Sequence, residues 1–179
     1  RSLGVDVVWL PHAQELYADD YHYRVTEMNV SRQLEGAHRP GHFEGMLTVV
    51  LKLLMVSRPR TVYLGEKDYQ QLMLVKGMVD AFFLDINVVG CPTVRSADGL
   101  ALSSRHAHLS DQHVQLALQI HSTLQNAPSC DEAKQHLESV GFRVEYLVEQ
   151  WGRRLVAVNI AGVRLIDNVP YHASAAAGD

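Results

Sequence analysis

The sequence predicts an α/β fold, in which a parallel β-sheet is covered by helices and is followed by a small α+β unit. The first observation is that short apolar runs alternate with segments of helical character, an order typical of parallel sheets. The predicted strands are residues 5–10 (VDVVWL), 61–64 (TVYL) and 86–90 (INVVG). The predicted helices are residues 43–56 and a second helix that follows residues 65–71 and runs to about residue 83. The second observation is that this alternation ends near Cys91, where a long polar segment begins.

Two helices and three strands are predicted after that segment, and they make the small α+β unit. The helices are residues 110–125 and 131–140, and the strands are residues 142–148, 155–160 and 163–166. Ser110 is a typical N-cap residue, and Gly141 follows the second helix as a C′ glycine does. Before the sheet we expect a helical turn over residues 13–17 and a strand over residues 23–30. The final residues, 172–179, are expected to be frayed.

Composition and charge exclude two classes of partner. The 179 residues carry 16 basic and 20 acidic side chains and a net charge of −4, which argues against a protein that binds nucleic acid through its phosphates. The longest apolar stretch, residues 46–56, is interrupted by Lys52 and is too short to span a membrane. Cys91 and Cys130 form no CxxC pair, so we expect free thiols and a reducing, cytoplasmic compartment.

The segment GEKDYQQ, residues 65–71, stands between a predicted strand and a predicted helix. Ligands of parallel sheets bind outside the carboxyl ends of the strands, where helix N-termini present free N–H groups. Gly65 allows close approach of the backbone, and Lys67 places a cation where a phosphate would lie. A structural alternative stays open, because Asp68 and Gln71 also match a capping box and a lone lysine is often a solvated surface residue.

Ser103, Ser104 and Arg105 close the long polar segment that follows Cys91. Hydroxyl groups donate hydrogen bonds to phosphate oxygens, and an arginine guanidinium binds two such oxygens at once, so the triplet suits a polyphosphate. Long ordered loops in compact domains are usually functional. A Ser-Ser-Arg triplet also occurs in plain loops, which is the alternative.

Glu35, Arg39 and His42 lie in LEGAHRPGHF, where proline and glycine interrupt regular structure. Arg39 and His42 flank the Pro-Gly pair, so we expect both in one cleft, where a histidine that titrates near neutrality could assist proton transfer. Alternatively, His42 caps the helix predicted from Phe43. The ten histidines do not predict a zinc site, because cysteine or carboxylate companions at ligand spacing are missing.

Three segments together resemble the pantoate–β-alanine ligase (pantothenate synthetase) family in wording, order and spacing. They are LEGAHRPGHFEGMLTVVLKL, YLGEKDYQQL and VGCPTVRSADGLALSSR, and GVDVVWLP resembles the strand that precedes them in the family. The resemblance covers nearly the whole chain and is strongest over residues 34–105. It implies the C-terminal part of a Rossmann-like, parallel-sheet domain that binds ATP and pantoate over residues 1–94, and a small α+β lid domain over residues 95–179.

The resemblance also implies an activity, namely the condensation of pantoate with β-alanine through a pantoyl-adenylate, with ATP and Mg²⁺ as cofactors and AMP and pyrophosphate as products. The residues implied to contact ATP are Gly65 and Asp68 at the ribose, Val94 at the adenine and, at the phosphates, Lys67, Ser103, Ser104 and Arg105. Gln71, Met46 and Val50 are implied to bind pantoate, with Glu35, Arg39 and His42 lining the same cleft. The implied catalytic residues are Lys67, Arg105 and His42.

The chain departs from the family pattern in what it lacks. Family members open with a His-x-Gly-His motif, a pantoate-binding glutamine and acidic residues linked to magnesium, and these are not in the sequence. We therefore expect the chain to be a fragment that does not form the adenylate at a normal rate by itself. The alternatives are a non-catalytic module that binds nucleotide and pantoate, and another adenylate-forming ligase. The family further implies a homodimer with contacts near residues 23–36.

Overall fold

Two compact units make up the chain in the computed structural model, which describes residue 2 and residues 4–171. The first unit contains the residues up to Val62 together with Met73–Val89. The second unit contains Tyr63–Leu72 together with the residues from Gly90 onward. The tail predicted to fray, residues 172–179, lies outside the described residues.

Helices dominate the first unit. They are α1 (Ala13–Leu16), α2 (Glu35–His38) and α3 (His42–Ser57), and a 3₁₀ turn over Val30–Arg32 precedes α2. The predicted helical turn and the predicted long helix are thereby confirmed. The buried apolar side chains of α3 are Phe43, Leu47 and Leu54. The helix ends where Arg58 adopts the left-handed conformation (φ 45°, ψ 54°), directly before Pro59.

Two predicted strands are wrong. Residues 5–10 and residues 23–30 form no strand, and their large apolar side chains are exposed, with 82% of Leu10 and 79% of Tyr23 accessible. A β-branched or aromatic composition favours an extended backbone, but a strand also needs a neighbour that completes its hydrogen-bond ladder. The described residues provide no such neighbour for either segment.

The strand–helix–strand unit that the sequence predicts next forms a parallel sheet, which has two strands in the described part of the chain. Its strands β1 (Thr61–Gly65) and β2 (Asn87–Cys91) are joined by α4 (Tyr69–Ala81). Both strands are only half-buried, whereas the sequence predicts apolar cover on both faces. The reason is the small size of the sheet in the described part of the chain, because each of its two strands has an open edge.

The second unit is built on an antiparallel sheet of three strands in the order β3 (Arg143–Gln150), β4 (Arg153–Ile160), β5 (Val163–Pro170). Two tight turns join the strands, and Gly152 and Gly162 adopt the positive φ angles that these turns require. The central strand β4 is buried over most of its length. All three strands confirm the prediction.

Three helices cover this sheet and close the main hydrophobic core. They are α5 (Asp111–Ala117), α6 (Gln119–Asn126) and α7 (Cys130–Ser139). The sequence predicts a single helix over residues 110–125, whereas the structure divides it at Leu118. That residue keeps right-handed helical angles and still donates to the carbonyl of Val114, so the division is a local irregularity in the hydrogen bonding. Ser110 and Gly141 act as the predicted caps.

Two general features complete the description. Within the described residues, no helix combines the length and the apolar character that a bilayer crossing needs. Cys91 and Cys130 are both free thiols.

Candidate functional site

The loop that carries Lys67 begins where β1 ends. After Gly65 the chain forms a 3₁₀ turn over Glu66–Asp68 and then enters α4. Gly65 is exposed, has an ordinary extended backbone, and would meet no atom within 4 Å if a Cβ were added. Nothing in the described protein therefore requires glycine at this position. Asp68 is exposed as well, and no reciprocal capping box with Gln71 forms among the described residues.

The long polar loop is ordered by short-range contacts. Arg95 and Ala101 form an isolated antiparallel bridge, and Gly99 makes the turn between them with a φ of 89°. The loop then enters a 3₁₀ helix over Ser104–His108, and Ser103 caps that helix by accepting a hydrogen bond from the amide of Arg105 at 3.2 Å. The cap places the Ser103 hydroxyl beside the start of the turn that carries Arg105.

A hollow in the second unit brings the Lys67 loop and the Ser103–Arg105 segment together. Lys67, Ser103 and Arg105 all line it. The other polar residues on its wall are His106, Arg164 and Asp167. Its cavity volume is about 10 Å³, which is room for about one water molecule. A larger anion would therefore lie across the mouth of this hollow, which we call the cationic hollow.

The charges around the cationic hollow leave it positive. Its one carboxylate, Asp167, is 5% exposed and is held by the Arg95 guanidinium through two bonds of 2.6 and 2.9 Å. Arg164 pairs with Glu145 at 2.7 Å, and its carbonyl oxygen accepts a hydrogen bond from Arg105. Lys67 has no ion pair in the described part of the chain. Of the cations on this wall, the Lys67 ammonium group is therefore the most available to a ligand.

His106 adds a neutral group to the same wall. Burial lowers its pKa, and the nearby positive charge of Lys67 lowers it further. The imidazole is therefore uncharged at neutral pH and offers one N–H donor and one acceptor. The sequence places this histidine directly after the Ser-Ser-Arg triplet.

Glu35, Arg39 and His42 lie in the first unit. Glu35 is 7% exposed and forms an ion pair with Arg39 at 3.8 Å across one turn. His42 is the first residue of α3, and its ring contacts that of Phe43. The helix begins at His42 and its N-cap residue is Gly41, so His42 is not the N-cap of a helix that begins at Phe43, as the alternative hypothesis had it. Met46 and Val50 follow on α3, one turn apart and half-buried.

The remaining predicted residues of the second unit do not line the cationic hollow. Gln71 lies in the first turn of α4 and is half-buried. Val94 is 68% exposed, and its carbonyl oxygen accepts a hydrogen bond from Leu102. Ser104 is exposed at the start of its 3₁₀ helix. Only Lys67, Ser103 and Arg105 of the predicted ATP residues are therefore brought together in this hollow.

The sequence does not predict four of the side chains in and around this hollow, namely Arg95, His106, Arg164 and Asp167. In the sequence, His106 is one of ten histidines, and no local pattern singles it out. Arg95 and Asp167 are 72 positions apart, so no local pattern links them. The only available signal is that Asp167 directly follows the apolar run of the strand predicted over residues 163–166, since a charge that is buried needs a partner.

The described residues contain no group of three or more His, Cys, Asp or Glu side chains able to hold a metal ion. The carboxylate nearest the cations, Asp167, has both oxygens on Arg95. The side chains of the described residues do not fit a protein-held Mg²⁺ site.

The fold and the cationic hollow define the chain as an α/β protein with a cluster of cations and a hydroxyl group suited to an anion. Comparison with known proteins agrees with the segments singled out above. The chain belongs to the pantoate-beta-alanine ligase family, whose model matches residues 1–170.

Curated relatives support the same assignment. The chain is 47% identical over 166 residues to a pantothenate synthetase from Bdellovibrio bacteriovorus, covering 93% of this chain and 66% of the relative. It is 45% identical over 168 residues to a pantothenate synthetase from Coxiella burnetii, covering 94% of this chain and 65% of the relative. The chain thus spans slightly less than two thirds of the length of these relatives.

Solved structures match the fold as well. The pantoate-beta-alanine ligase from Francisella tularensis, complexed with beta-gamma ATP and beta-alanine, superposes with a TM-score of 0.88 at 41% identity, over 94% of this chain and 66% of that one. The pantothenate synthetase from Thermus thermophilus superposes with a TM-score of 0.83 at 37% identity, over 96% of this chain and 72% of that one. The Rossmann-like α/β class is confirmed.

Proposed function

We propose that the chain carries the phosphate-binding part of an ATP-dependent ligase that condenses pantoate with β-alanine to give pantothenate. The observation that carries the proposal is that Lys67, Ser103 and Arg105, which come from two separate segments, line one cationic hollow in a member of the pantoate-beta-alanine ligase family. The solved relative complexed with an ATP compound and beta-alanine supports the choice of substrates.

The proposed reaction has two steps. A carboxylate oxygen of pantoate attacks the α-phosphorus of ATP, the bond from that phosphorus to the bridging oxygen breaks, and pyrophosphate leaves. The amine of β-alanine then attacks the acyl carbon of the pantoyl-adenylate, AMP leaves with the acyl oxygen, and the amine loses a proton. Negative charge builds up on the phosphates in the first step, so lysine and arginine side chains stabilise its transition state.

Each proposed role follows from what the side chain offers. Lys67 and Arg105 neutralise the phosphates, and the Ser103 hydroxyl donates a hydrogen bond beside them. Ser104, Gly65, Asp68 and Val94 complete the proposed nucleotide contacts by position in the family pattern. Gln71, Met46 and Val50 are proposed for pantoate, Glu35 and Arg39 for the lining of the cleft, and His42 for assistance to proton transfer.

An acyl-adenylate hydrolyses readily, so the proposed site must exclude water. For this reason residues 95–179 are proposed to act as a lid on an ATP- and pantoate-binding domain of residues 1–94. The two compact units of the structure differ from this division at two places, because Tyr63–Leu72, which includes Lys67, and residues 90–94 belong with the second unit.

Mg²⁺ is proposed only as a companion of the nucleotide. Mg²⁺ keeps several waters and is usually bound through substrate phosphates together with one or two carboxylates. Since Asp167 is committed to Arg95, the described residues around the cationic hollow have no such carboxylate to offer. No step of the reaction is assigned to the metal.

Assembly and location are proposals too. We propose a homodimer that uses residues 23–36, a segment in which two large apolar side chains, Tyr23 and Met28, are 79% and 63% exposed. A cytoplasmic location is proposed because both thiols are free and biosynthetic ligases use cytoplasmic ATP. Sedimentation analysis of the purified chain tests the dimer.

The function is tested by Lys67→Ala, with Lys76→Ala as a matched control, because Lys76 is an exposed lysine further along α4. AMP release from ATP, pantoate and β-alanine is measured, together with the affinity for ATP, in the full-length protein to which this chain is expected to belong. We expect Lys67→Ala to lower turnover about 100-fold, as the loss of one transition-state donor does, and Lys76→Ala to have no effect.

Three other outcomes of this experiment would contradict the role of Lys67 or favour a different function. Equal turnover in both variants would contradict the role of Lys67. ATP binding without AMP release by the full-length protein would instead support a non-catalytic module that binds nucleotide and pantoate. AMP release with a different acid and amine, but not with pantoate and β-alanine, would point to another adenylate-forming ligase.

A further inference from the structure

A buried asparagine on β5 contacts the loop that carries Lys67. Asn168 is 2% exposed, and its Nδ2 donates to the carbonyl oxygens of Glu66 at 2.9 Å and of Lys67 at 3.0 Å. One amide thus holds two consecutive carbonyl groups, which fixes the orientation of the peptide units before and after the Lys67 Cα atom. Both donors of the amide are used, and both carbonyls gain a partner.

Arg153 on β4 completes the network. Its guanidinium donates to Oδ1 of Asn168 at 2.8 Å and to a carboxylate oxygen of Glu66 at 2.6 Å. The same guanidinium lies over the ring of Tyr69, 4.4 Å from the ring centre. The turn that carries Lys67 is therefore held to the antiparallel sheet through backbone and side chain on one side of Lys67 and through an aromatic ring on the other.

The Lys67 side chain itself has no comparable restraint. Lysine has a flexible four-carbon stem, so without a partner its ammonium group samples many positions. In the described residues Lys67 has no ion pair. Its reach toward the cationic hollow therefore depends on where the backbone of residues 66 and 67 is held, and Asn168 and Arg153 hold that backbone. Asn168 itself is not on the wall of the hollow.

We propose that Asn168, supported by Arg153, is a positioning residue that directs the Lys67 ammonium to the phosphates of the ligand. This inference rests on the proposed function, since it requires that Lys67 bind phosphate. If the network served the fold alone, its loss would lower the melting temperature. The coupling free energy between Asn168 and Lys67 for ligand binding would then be zero.

The test is a double-mutant cycle on the full chain, with inorganic pyrophosphate as the probe and calorimetry as the readout. The variants are Asn168→Ala, Lys67→Ala and the pair. Asn159→Ala is the matched control, because Asn159 is on the same sheet and its side chain accepts only the turn amide of Gly162. The melting temperature of each variant is measured so that binding is compared in folded protein.

We expect Asn168→Ala to weaken pyrophosphate binding about tenfold, Asn159→Ala to leave it unchanged, and Asn168→Ala to cause no further loss once Lys67 is alanine. Binding by Asn168→Ala equal to that of Asn159→Ala, or losses that simply add, would overturn the inference. Unchanged binding by Lys67→Ala would instead contradict the proposed function, so the two failures are distinguishable.

A second variant guards against misfolding of Asn168→Ala. Arg153→Lys keeps a positive charge for Glu66 but removes the second donor of the guanidinium fork, so that Asn168 loses its orienting partner. We expect about threefold weaker pyrophosphate binding that disappears in the Lys67→Ala background. Full affinity in Arg153→Lys would overturn the supporting role of Arg153, and with Asn168→Ala unfolded it would overturn the inference as a whole.

Discussion

Buried or half-buried cations of this chain are mostly matched to acceptors. Arg154 is 2% exposed, and its guanidinium meets a carboxylate oxygen of Glu149 together with the carbonyl oxygens of Leu124 and Ala127. Arg95 is similarly held by Asp167. Such pairing is what burial of a charge demands. Against this pattern, the uncommitted ammonium of Lys67 is available for a ligand.

The ion pair between Lys52 and Asp19 makes stability depend on pH. The hydrogen bond from Lys52, at 2.7 Å, and after it the hydrogen bond from the amide of Tyr23, at 2.9 Å, lower the pKa of Asp19 from 3.8 to about 2. A lowered pKa in the folded state stabilises the fold above the unfolded value, and this contribution is lost as the pH falls from about 4 to about 2. We expect Asp19→Asn to flatten the fall in the urea midpoint over that range.

The matched control for this measurement is Asp98→Asn, which changes an exposed aspartate at a turn of the long loop. It should leave the pH dependence as in the parent chain. A parallel decline in the parent and in Asp19→Asn would show that the Lys52 pair contributes nothing to acid sensitivity.

At the scale of single elements, capping residues predict the ends of helices better than amino-acid composition predicts strands. Ser129 precedes α7, and its hydroxyl oxygen accepts a hydrogen bond from the amide of Glu132 at 3.2 Å. The Glu132 carboxylate lies within 3.3 Å of the same hydroxyl. Such contacts lie within four residues, so they form wherever the sequence places them. A strand, by contrast, needs a partner that its own residues do not specify.

Removal of this cap gives a prediction for α7. Ser129→Ala leaves the amide of Glu132 without its acceptor, and we expect a loss of about 0.5–2 kcal/mol in the free energy of unfolding, measured by urea titration. The control is Ser139→Ala in the same helix, whose hydroxyl only donates back to the carbonyl of His136. A Ser139→Ala loss as large as that of Ser129→Ala would mean that the effect comes from alanine in α7 and not from the cap.

For the molecule as a whole, the main core lies in the second unit, between α6, α7 and the antiparallel sheet. Its most deeply buried large side chains are Leu124, Leu137, Val156 and Val158. These residues come from segments that the sequence predicts correctly, and their burial joins helices to strands. This core supports the sheet whose last strand carries Asp167 and Asn168.

A cavity in this core is expected to be costly. Leu137→Ala removes a side chain that is 0% exposed, and such changes usually lower the free energy of unfolding by about 2–5 kcal/mol. Thermal and urea unfolding of the purified chain measure it. Leu102→Ala, at a position that is 56% exposed, is the control and should have little effect. Similar losses for the two leucines would contradict this description of the core.

The candidate site divides into what local sequence can and cannot predict. Lys67, Ser103 and Arg105 are predictable, because a cation after a strand and a hydroxyl-arginine segment are visible in a few residues. The exposed conformation of residues 5–10 is not, because an apolar run looks the same whether or not a neighbouring strand exists. His106 has no role that its neighbours in sequence reveal, since only its position beside Lys67 shows what it contributes.

The sequence by itself determined the α/β class, the long helices, the antiparallel strands and the family, all of which depend on patterns within one segment or on segment order. Only the tertiary structure decided that Asn168 holds Lys67 across 101 positions and that Arg95 neutralises Asp167 across 72. The physical reason is that these bonds depend on strand register and loop closure, which bring distant residues within 3.0 Å and are not encoded in the residues on either side of them.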